Sequence, residues 1–308
     1  MPKLIADFVS GGISGVADLQ AALQLAMQLE FATIPPYLCA EWSINDDPDD
    51  VTDIIHSVVM QEMFHFAIAG NLLSAIGGTP QVANSAFVPA YPTNTLPGGI
   101  AQALPIDLLP LSKDQLQVFM QIEKPEFEPV AHVAEVNPPA TIGAFYGTIS
   151  DAFTALQPPI NASAPALLRG SAQRINTVAD AIAAIETIKE EGEGTTTSPE
   201  EPATDSNSFS HFYLFEEVFK GNKLVQVGGT WQFTGPAISM PTVFPFTRSA
   251  AVPSPSIAFN KALVGLLQGL EACWTAGQAF SAAAMFNLQA AGSNLIQQGI
   301  TPEFKWID

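Results

Sequence analysis

Apolar residues recur every three or four positions along most of the chain, and this spacing predicts amphipathic α-helices. A short alternating stretch at residues 224–233 predicts one β-hairpin that turns at Gly228-Gly229. The pattern therefore predicts a mainly α fold, a helical bundle with one long crossover connection. The predicted helices are residues 16–44, 51–76, 112–123, 141–157, 171–191, 211–220, 256–270 and 276–298.

Turn-forming residues indicate where these helices begin, bend and end. Asp18 is a candidate N-cap of the first helix. The pair Pro35-Pro36 predicts a kink or an interruption in that helix, because proline has no N–H to donate. Segments 81–110 and 192–210 are rich in Pro, Gly, Thr, Ser or Asn and are expected to be loops. We expect a single domain over residues 1–308, which divides into a core at about 15–220, the hairpin at 223–234 and closing helices at 256–298.

The second predicted helix has two ionisable residues, Glu62 and His65, in its otherwise apolar face. A buried carboxylate is costly unless it is paired or binds a metal. The Glu-x-x-His spacing places both side chains on one face, as in di-metal bundles. The alternative is a neutral histidine that is hydrogen-bonded to the glutamate in the core. The apolar positions of this face are Ile55, Val58, Ala69, Leu72 and Ile76.

The first helix has the same anomaly, with Glu30 among Leu23, Ala26, Met27 and Ile34. No lysine or arginine lies in either of the first two helices to neutralise these carboxylates. One Glu from the first helix and a Glu-x-x-His from the second are half of a four-helix di-metal site. The two anomalies together favour a metal site over a buried hydrogen bond.

The other half of such a site must come from later helices. Glu190 and Glu193 close the helix at 171–191, where the helix dipole is unfavourable to acids, and this placement suggests a bound cation. His211 follows the polar loop and could supply the second imidazole. Glu123 or Glu126, at the end of the helix at 112–123, could supply the remaining carboxylate.

Three further side chains have less decided roles. Tyr37 and Tyr146 are expected on helices that face the site, either as hydrogen-bond donors or radical sites, or as core residues. His56 falls off the inward face of the second helix and is expected to be exposed.

Composition narrows the function classes. The 11 basic and 30 acidic residues give a net charge of −19, which argues against nucleic acid and anionic membranes as partners. The two cysteines, Cys39 and Cys273, exclude a Cys-rich zinc site. No signal peptide or membrane span is evident, so we expect a cytoplasmic protein. Carboxylate and imidazole ligands without thiolates suit iron, with manganese as the alternative.

Five motifs resemble the ferritin-like domain of the iminophenyl-pyruvate dimer synthases, which couple two oxidised aromatic amino-acid units. The similarity spans roughly residues 15–235 in the same order. It implies a ferritin-like fold with metal on Glu30, Glu62, His65, Glu193 and His211, and less firmly on Glu123 and Glu190. The motifs are LEFATIPPYLCAEWSI, QEMFHFAIAGNLLSAIGGTP, IEKPE, TIGAFYGTI and IKEEGEGT with SHFYLFEEV.

The sequence therefore predicts a metal-dependent oxidoreductase, with two iron ions expected, that acts with O2 on a small and aromatic amino-acid-derived substrate. Coupling of the dimer-synthase type and iron binding without turnover are the alternatives. The hairpin and the closing helices offer extra surface, for which a homodimer is a further prediction.

Overall fold

The computed structural model describes residues 3–125, 141–195, 198–200 and 209–308. The described part of the chain is mainly helical, as predicted. Its helices are α1 (Ile5–Gly11), α2 (Val16–Ser43), α3 (Val51–Ala75), α4 (Lys113–Ile122), α5 (Ile142–Leu156), α6 (Val178–Glu193), α7 (His211–Lys220), α8 (Ile257–Ala276) and α9 (Ala283–Gln297). Its strands are β1 (Ile44–Asp46), β2 (Val225–Val227), β3 (Thr230–Gln232) and β4 (Thr242–Val243).

The helices pack in pairs around the long pair α2–α3. Further pairs are α5 with α6, α4 with α7, and α8 with α9, and each of these pairs also touches α2 or α3. Most side chains of α2 and α3 are buried, so these two helices form the centre of the core. No helix within the described ranges is both long and apolar enough to cross a membrane.

Helix α2 continues through Pro35 and Pro36 as one helix, so of the predicted kink or interruption the interruption is absent. Pro36 cannot donate to the carbonyl of Ala32, its usual partner four residues earlier. The hydroxyl of Tyr91 donates to that carbonyl instead, at 2.6 Å. A side chain from the long crossing loop therefore replaces a missing helical hydrogen bond.

The caps or the bounds of four helices differ from the prediction, because local capping overrides the apolar periodicity. Asp18 is not the N-cap of α2; the cap is Gly15, and Asp18 lies in the first turn. Helix α6 begins at residue 178 rather than 171, because Thr177 and Asp180 form a capping box there. Helix α8 continues to residue 276, where Gly277 in the left-handed region ends it, and α9 then starts only at residue 283.

The predicted hairpin is present as β2–β3, with Gly228 and Gly229 at the turn in positive φ. Two elements were not predicted from the sequence. One is α1, and the other is the antiparallel pair β1–β4, which aligns Ile44 with Val243 and so ties the end of α2 to the segment before α8. Both elements are too short to give a periodic signal.

Candidate metal centre

Five buried side chains from four parts of the bundle form two groups of three that could each hold a metal ion. In each group the candidate ligand atoms all lie within 4.8 Å of one another. Glu62 belongs to both groups, which is the position of a bridging carboxylate in a two-metal site. The groups are Glu30, Glu62 and His65, and Glu62, Glu123 and His211.

The two ring nitrogens of His65 face different carboxylates. Its Nδ1 lies 3.8 Å from Oε2 of Glu30 and 3.7 Å from Oε1 of Glu62. Its Nε2 lies 2.8 Å from Oε2 of Glu191, a buried residue of α6. Metal-binding histidines typically use one ring nitrogen for the metal and donate the other N–H to a carboxylate or carbonyl. His65 has that arrangement, with Nδ1 toward the centre and Glu191 as its support.

His211, the first residue of α7, is oriented in the same way. Its Nδ1 lies 2.9 Å from Oε1 of Glu62 and 3.6 Å from Oε2 of Glu123. This buried nitrogen nevertheless has no aligned hydrogen-bond partner among the described residues. Its Nε2 lies 3.1 Å from Oε1 of Gln61. A buried ring nitrogen that faces two carboxylates without a hydrogen bond fits a metal ligand better than a structural imidazole.

Each of the three carboxylates has one oxygen held by a hydroxyl group. Tyr146 donates to Oε1 of Glu30 and Thr33 to Oε2 of Glu62, both at 2.5 Å. Tyr37 donates in the same way to Oε1 of Glu123. The other oxygen of each carboxylate faces the imidazoles, as the distances above show. The hydroxyl groups therefore fix the carboxylates so that one oxygen of each points to a common space.

Burial and mutual repulsion perturb the pKa values of the carboxyl groups. Burial, with the Glu62 charge, raises the pKa of Glu30 to about 8. Burial and the same charge also raise the pKa of Glu123. Burial alone would raise the pKa of Glu62, but His211 and His65 outweigh it and hold that pKa well below its usual range. Glu62 therefore retains a negative charge, and Glu30 tends to stay protonated near neutral pH.

The pKa values of the imidazoles are raised as well, but by the neighbouring carboxylates and not by burial. Burial would lower the pKa of His211, but Glu123 and Glu62 raise it to about 10. Burial is likewise outweighed at His65, where Glu191 and Glu62 raise the pKa well above its usual range. Among the described residues, no lysine or arginine forms an ion pair with these glutamates. Protons on the imidazoles and on Glu30 therefore offset the negative charge in the metal-free protein, and a divalent cation would take their place.

The comparisons with known proteins agree with this geometry. A family model described as "Ferritin-like" matches residues 23–220, about two thirds of the chain and all four helices that carry the groups. The chain belongs to the ferritin-like family. Its fold is similar to the crystal structure of a ferritin-like protein from Caulobacter vibrioides, with a TM-score of 0.71 and 20% sequence identity. That similarity covers 96% of this chain and 100% of the other.

The predicted ferritin-like fold is thus confirmed. A search of curated proteins finds no significant match. The comparisons support the ferritin-like domain and do not distinguish the dimer synthases within the family, so that part of the resemblance stays a prediction.

Five of the seven predicted ligands lie in the two groups, and Glu190 and Glu193 belong to neither. Glu190 is half-buried on α6 and belongs to neither group. Glu193 also belongs to neither group, and its Oε1 accepts the backbone N–H of Gly143 at 2.7 Å, in the first turn of α5. Glu126, the stated alternative to Glu123, lies outside the described residues.

Glu191 is the residue of the site that sequence reasoning missed. It continues the buried stripe of Ala181, Ile185 and Ile188 along α6. This is the same signal that identified Glu30, a carboxylate within an apolar face. Glu190 and Glu193 stand close to it in the sequence, and their positions at the helix end drew the prediction away from Glu191.

A small void adjoins the two groups. Its volume is about 20 Å³, which is enough for about one water molecule. Glu30, Glu62, His65, Glu123 and Glu193 line its polar side, and Ile122, Ile142 and Ile188 are among its apolar walls. Within the described residues, the space beside the centre therefore has the size of a water molecule or of O2.

Proposed function

We propose that this protein binds two iron ions between α2, α3, α4 and α7 and is an oxidoreductase that uses O2. The observation that carries the proposal is the pair of three-residue groups that share Glu62. All five side chains are buried, and their oxygen and nitrogen atoms suit iron or manganese. Glu30 and His65 would hold one ion, Glu123 and His211 the other, and Glu62 would bridge them.

The bound ions would supply the redox chemistry, and the protein's own residues would hold the ligands and the protons. Glu191 would support His65, and the side-chain amide of Gln61 would support His211. Tyr37 and Tyr146 donate to ligand carboxylates, and burial raises the pKa of both phenols, so both hydroxyl groups keep their protons and hold the carboxylates in place. The apolar walls of the small void would limit the access of bulk water.

The proposal specifies the substrate only as a chemical class. Two molecules that each give up two electrons and two protons would reduce one O2 to two molecules of water. An aromatic amino-acid-derived substrate is supported by the sequence resemblance alone, and coupling of two oxidised units is its variant. We also propose a cytoplasmic location and a homodimer, both from the sequence and neither from the family resemblance.

The test begins with metal-free protein that is loaded with Fe(II) under argon. We expect about two ions per chain by elemental analysis, the stoichiometry of a di-metal bundle. Exposure to air should then consume O2, and a panel of aromatic amino acids and their 2-imino or 2-oxo acids should be screened for repeated turnover. Failure to bind stoichiometric metal under argon would contradict the proposal. Metal binding with a single O2-consuming event and no turnover would instead support iron binding without catalysis.

A further inference from the structure

A second and larger cavity lies on the other side of the α2–α3 pair from the metal centre. Its volume is about 470 Å³, and it is enclosed by α2, α3, α8, α9 and the segment at residues 167–170. Sequence neighbours on each central helix divide between the two sites. Glu30 lines the metal-side void and Phe31 the cavity, and Glu62 and Met63 divide in the same way. The two sites share no lining residue.

The cavity wall is almost entirely apolar. Seven aromatic side chains and three methionines line it. Phe31, Trp42 and Phe66 form part of its buried wall, whereas Phe286 on α9 is 68% exposed. His56, whose side chain is 51% exposed, lies at the solvent side as well. A volume of this size with an apolar wall and a few polar groups is typical of small-molecule sites.

Two charged residues line the otherwise apolar wall, the exposed Arg169 and the buried Glu41. Glu41, near the end of α2, is only 7% exposed and lines the cavity. Its Oε1 lies 2.8 Å from Nδ1 of His56, and its Oε2 is buried without a hydrogen-bond partner among the described residues. Buried acceptors of this kind normally have a partner, and a ligand could supply it.

We propose that this cavity binds a neutral hydrophobic small molecule with an aromatic ring and an O–H or N–H group that donates to Glu41. The aromatic rings and the methionine sulfurs would contact the body of the ligand. The carboxyl group selects a donor, because a ligand that offers only acceptors leaves Glu41 unpaired. Its charge also disfavours an anionic group placed beside it, and the only cationic side chain of the described lining, Arg169, is exposed. Burial raises the pKa of Glu41 and the bond to His56 opposes that rise, so a second donor would further stabilise the carboxylate.

N-phenyl-1-naphthylamine is a suitable probe, since it is neutral, aromatic and fluorescent in apolar surroundings, and has a single N–H. We expect a saturable rise in fluorescence with one site per chain. The N-methyl analogue of the probe has the same rings and no donor, and it should bind roughly tenfold more weakly, the usual loss for a hydrogen bond to a charged acceptor. Replacement Glu41→Leu should remove this preference and leave both compounds equally bound.

A matched pair of variants locates the probe. Ala282 lines the cavity and is half-buried, whereas its neighbour Ala283 is exposed and does not line it. Ala282→Trp should abolish binding of both compounds, and Ala283→Trp should leave binding unchanged. The proposal is overturned if neither compound saturates, if the wild-type protein binds both equally, or if decanoate competes as well as decanol. The wild-type comparison needs no variant, so it decides the matter even where Glu41→Leu does not fold.

Discussion

The two faces of the α2–α3 pair differ in what they bury. One face buries Glu30, Glu62 and His65, whose polar atoms contact one another and two hydroxyl groups. The other face buries aromatic and methionine side chains around a cavity of about 470 Å³, with Glu41 as its buried charged group. The same two helices therefore form the wall between a dense polar centre and a spacious apolar one.

This difference indicates how each face is stabilised. Ionisable groups on the metal side are packed closely, and the pKa values of Glu30 and His211 are both raised, at Glu30 by burial and the Glu62 charge and at His211 by the carboxylates of Glu123 and Glu62. The cavity side has little such coupling, since Glu41 contacts one ionisable side chain there among the described residues, His56. Changes on the metal side should therefore alter metal and proton binding, and changes on the cavity side should alter the binding of apolar molecules.

The largest expected effect follows from Glu62, which belongs to both ligand groups. Replacement Glu62→Ala should reduce bound Fe(II) from about two ions per chain to nearly none, because each ion would lose its shared ligand. Elemental analysis after anaerobic loading measures this. Asp53→Ala, at an exposed position of the same helix, is the control and should bind metal normally. Binding of the naphthylamine probe should survive in both variants; its loss in Glu62→Ala would show that the two faces are not independent.

The adjacent acids of α6 provide a more selective test. Glu191→Gln should weaken metal binding by about 10- to 100-fold, because the amide supports the His65 ring less well than a carboxylate. Glu190→Gln changes the same charge one residue earlier, outside both groups, and should have little effect. Titration with Co(II) under argon would measure both affinities. Equal weakening in the two variants would indicate that net charge, and not the contact to His65, controls the affinity.

The direction of the pH dependence follows from the raised pKa values. In metal-free protein at pH 7, His211, with a pKa of about 10, holds a proton, and Glu30, with a pKa of about 8, mostly holds one. His65, whose pKa is also raised by Glu191 and Glu62, holds a further proton, and all of these protons must leave before metal can bind. The apparent affinity should therefore rise with pH between about 6 and 8 by roughly tenfold per pH unit for each proton released. Calorimetry in two buffers of different ionisation enthalpy counts the protons.

The stability of the metal-free protein should change in the opposite direction. Groups whose folded-state pKa is raised stabilise the fold below their unfolded pKa values and lose that contribution as pH rises through the folded values. For Glu30 and His211 the loss extends from about pH 4.5 to about pH 10. Denaturant titrations at pH 6 and pH 9 should show lower stability at pH 9 without metal, and a smaller difference with metal. A constant stability of the metal-free form would contradict the assigned protonation states.

Much of this site could be predicted because a carboxylate in an apolar stripe is a local signal. Glu30, Glu62 and His65 stand out in this way within single helices. Glu123 and His211 lie at helix ends, where periodicity no longer defines a face, so the sequence left Glu123 open against Glu126. Glu191 shows the limit of the method, because three further acids surround it and only packing decides which one is buried.

The fold was predictable to the same degree. Long periodic stretches gave α2 and α3 almost to the residue, whereas α6 began seven residues late because of the Thr177 cap. The contact of Tyr91 with α2 joins positions 59 residues apart and leaves no trace in any local pattern. The cavity was invisible for the same reason, since its wall comes from helices that are distant along the chain.

The contact between Tyr91 and α2 gives the smallest expected effect, and it tests the α2–α3 wall between the two sites. Tyr91→Phe removes the hydroxyl that donates to the Ala32 carbonyl, which Pro36 cannot bond. A buried carbonyl without a partner should cost about 1 to 2 kcal/mol in the free energy of unfolding, measured by denaturant titration. Because the wall belongs to both sites, metal affinity and probe affinity should fall together and only slightly. Tyr213→Phe, a buried tyrosine of α7, serves as the comparison for loss of a hydroxyl elsewhere in the core. If Tyr91→Phe weakens one site and spares the other, the wall does not move as a unit, and the α2 segment around Pro35-Pro36 serves only the affected face.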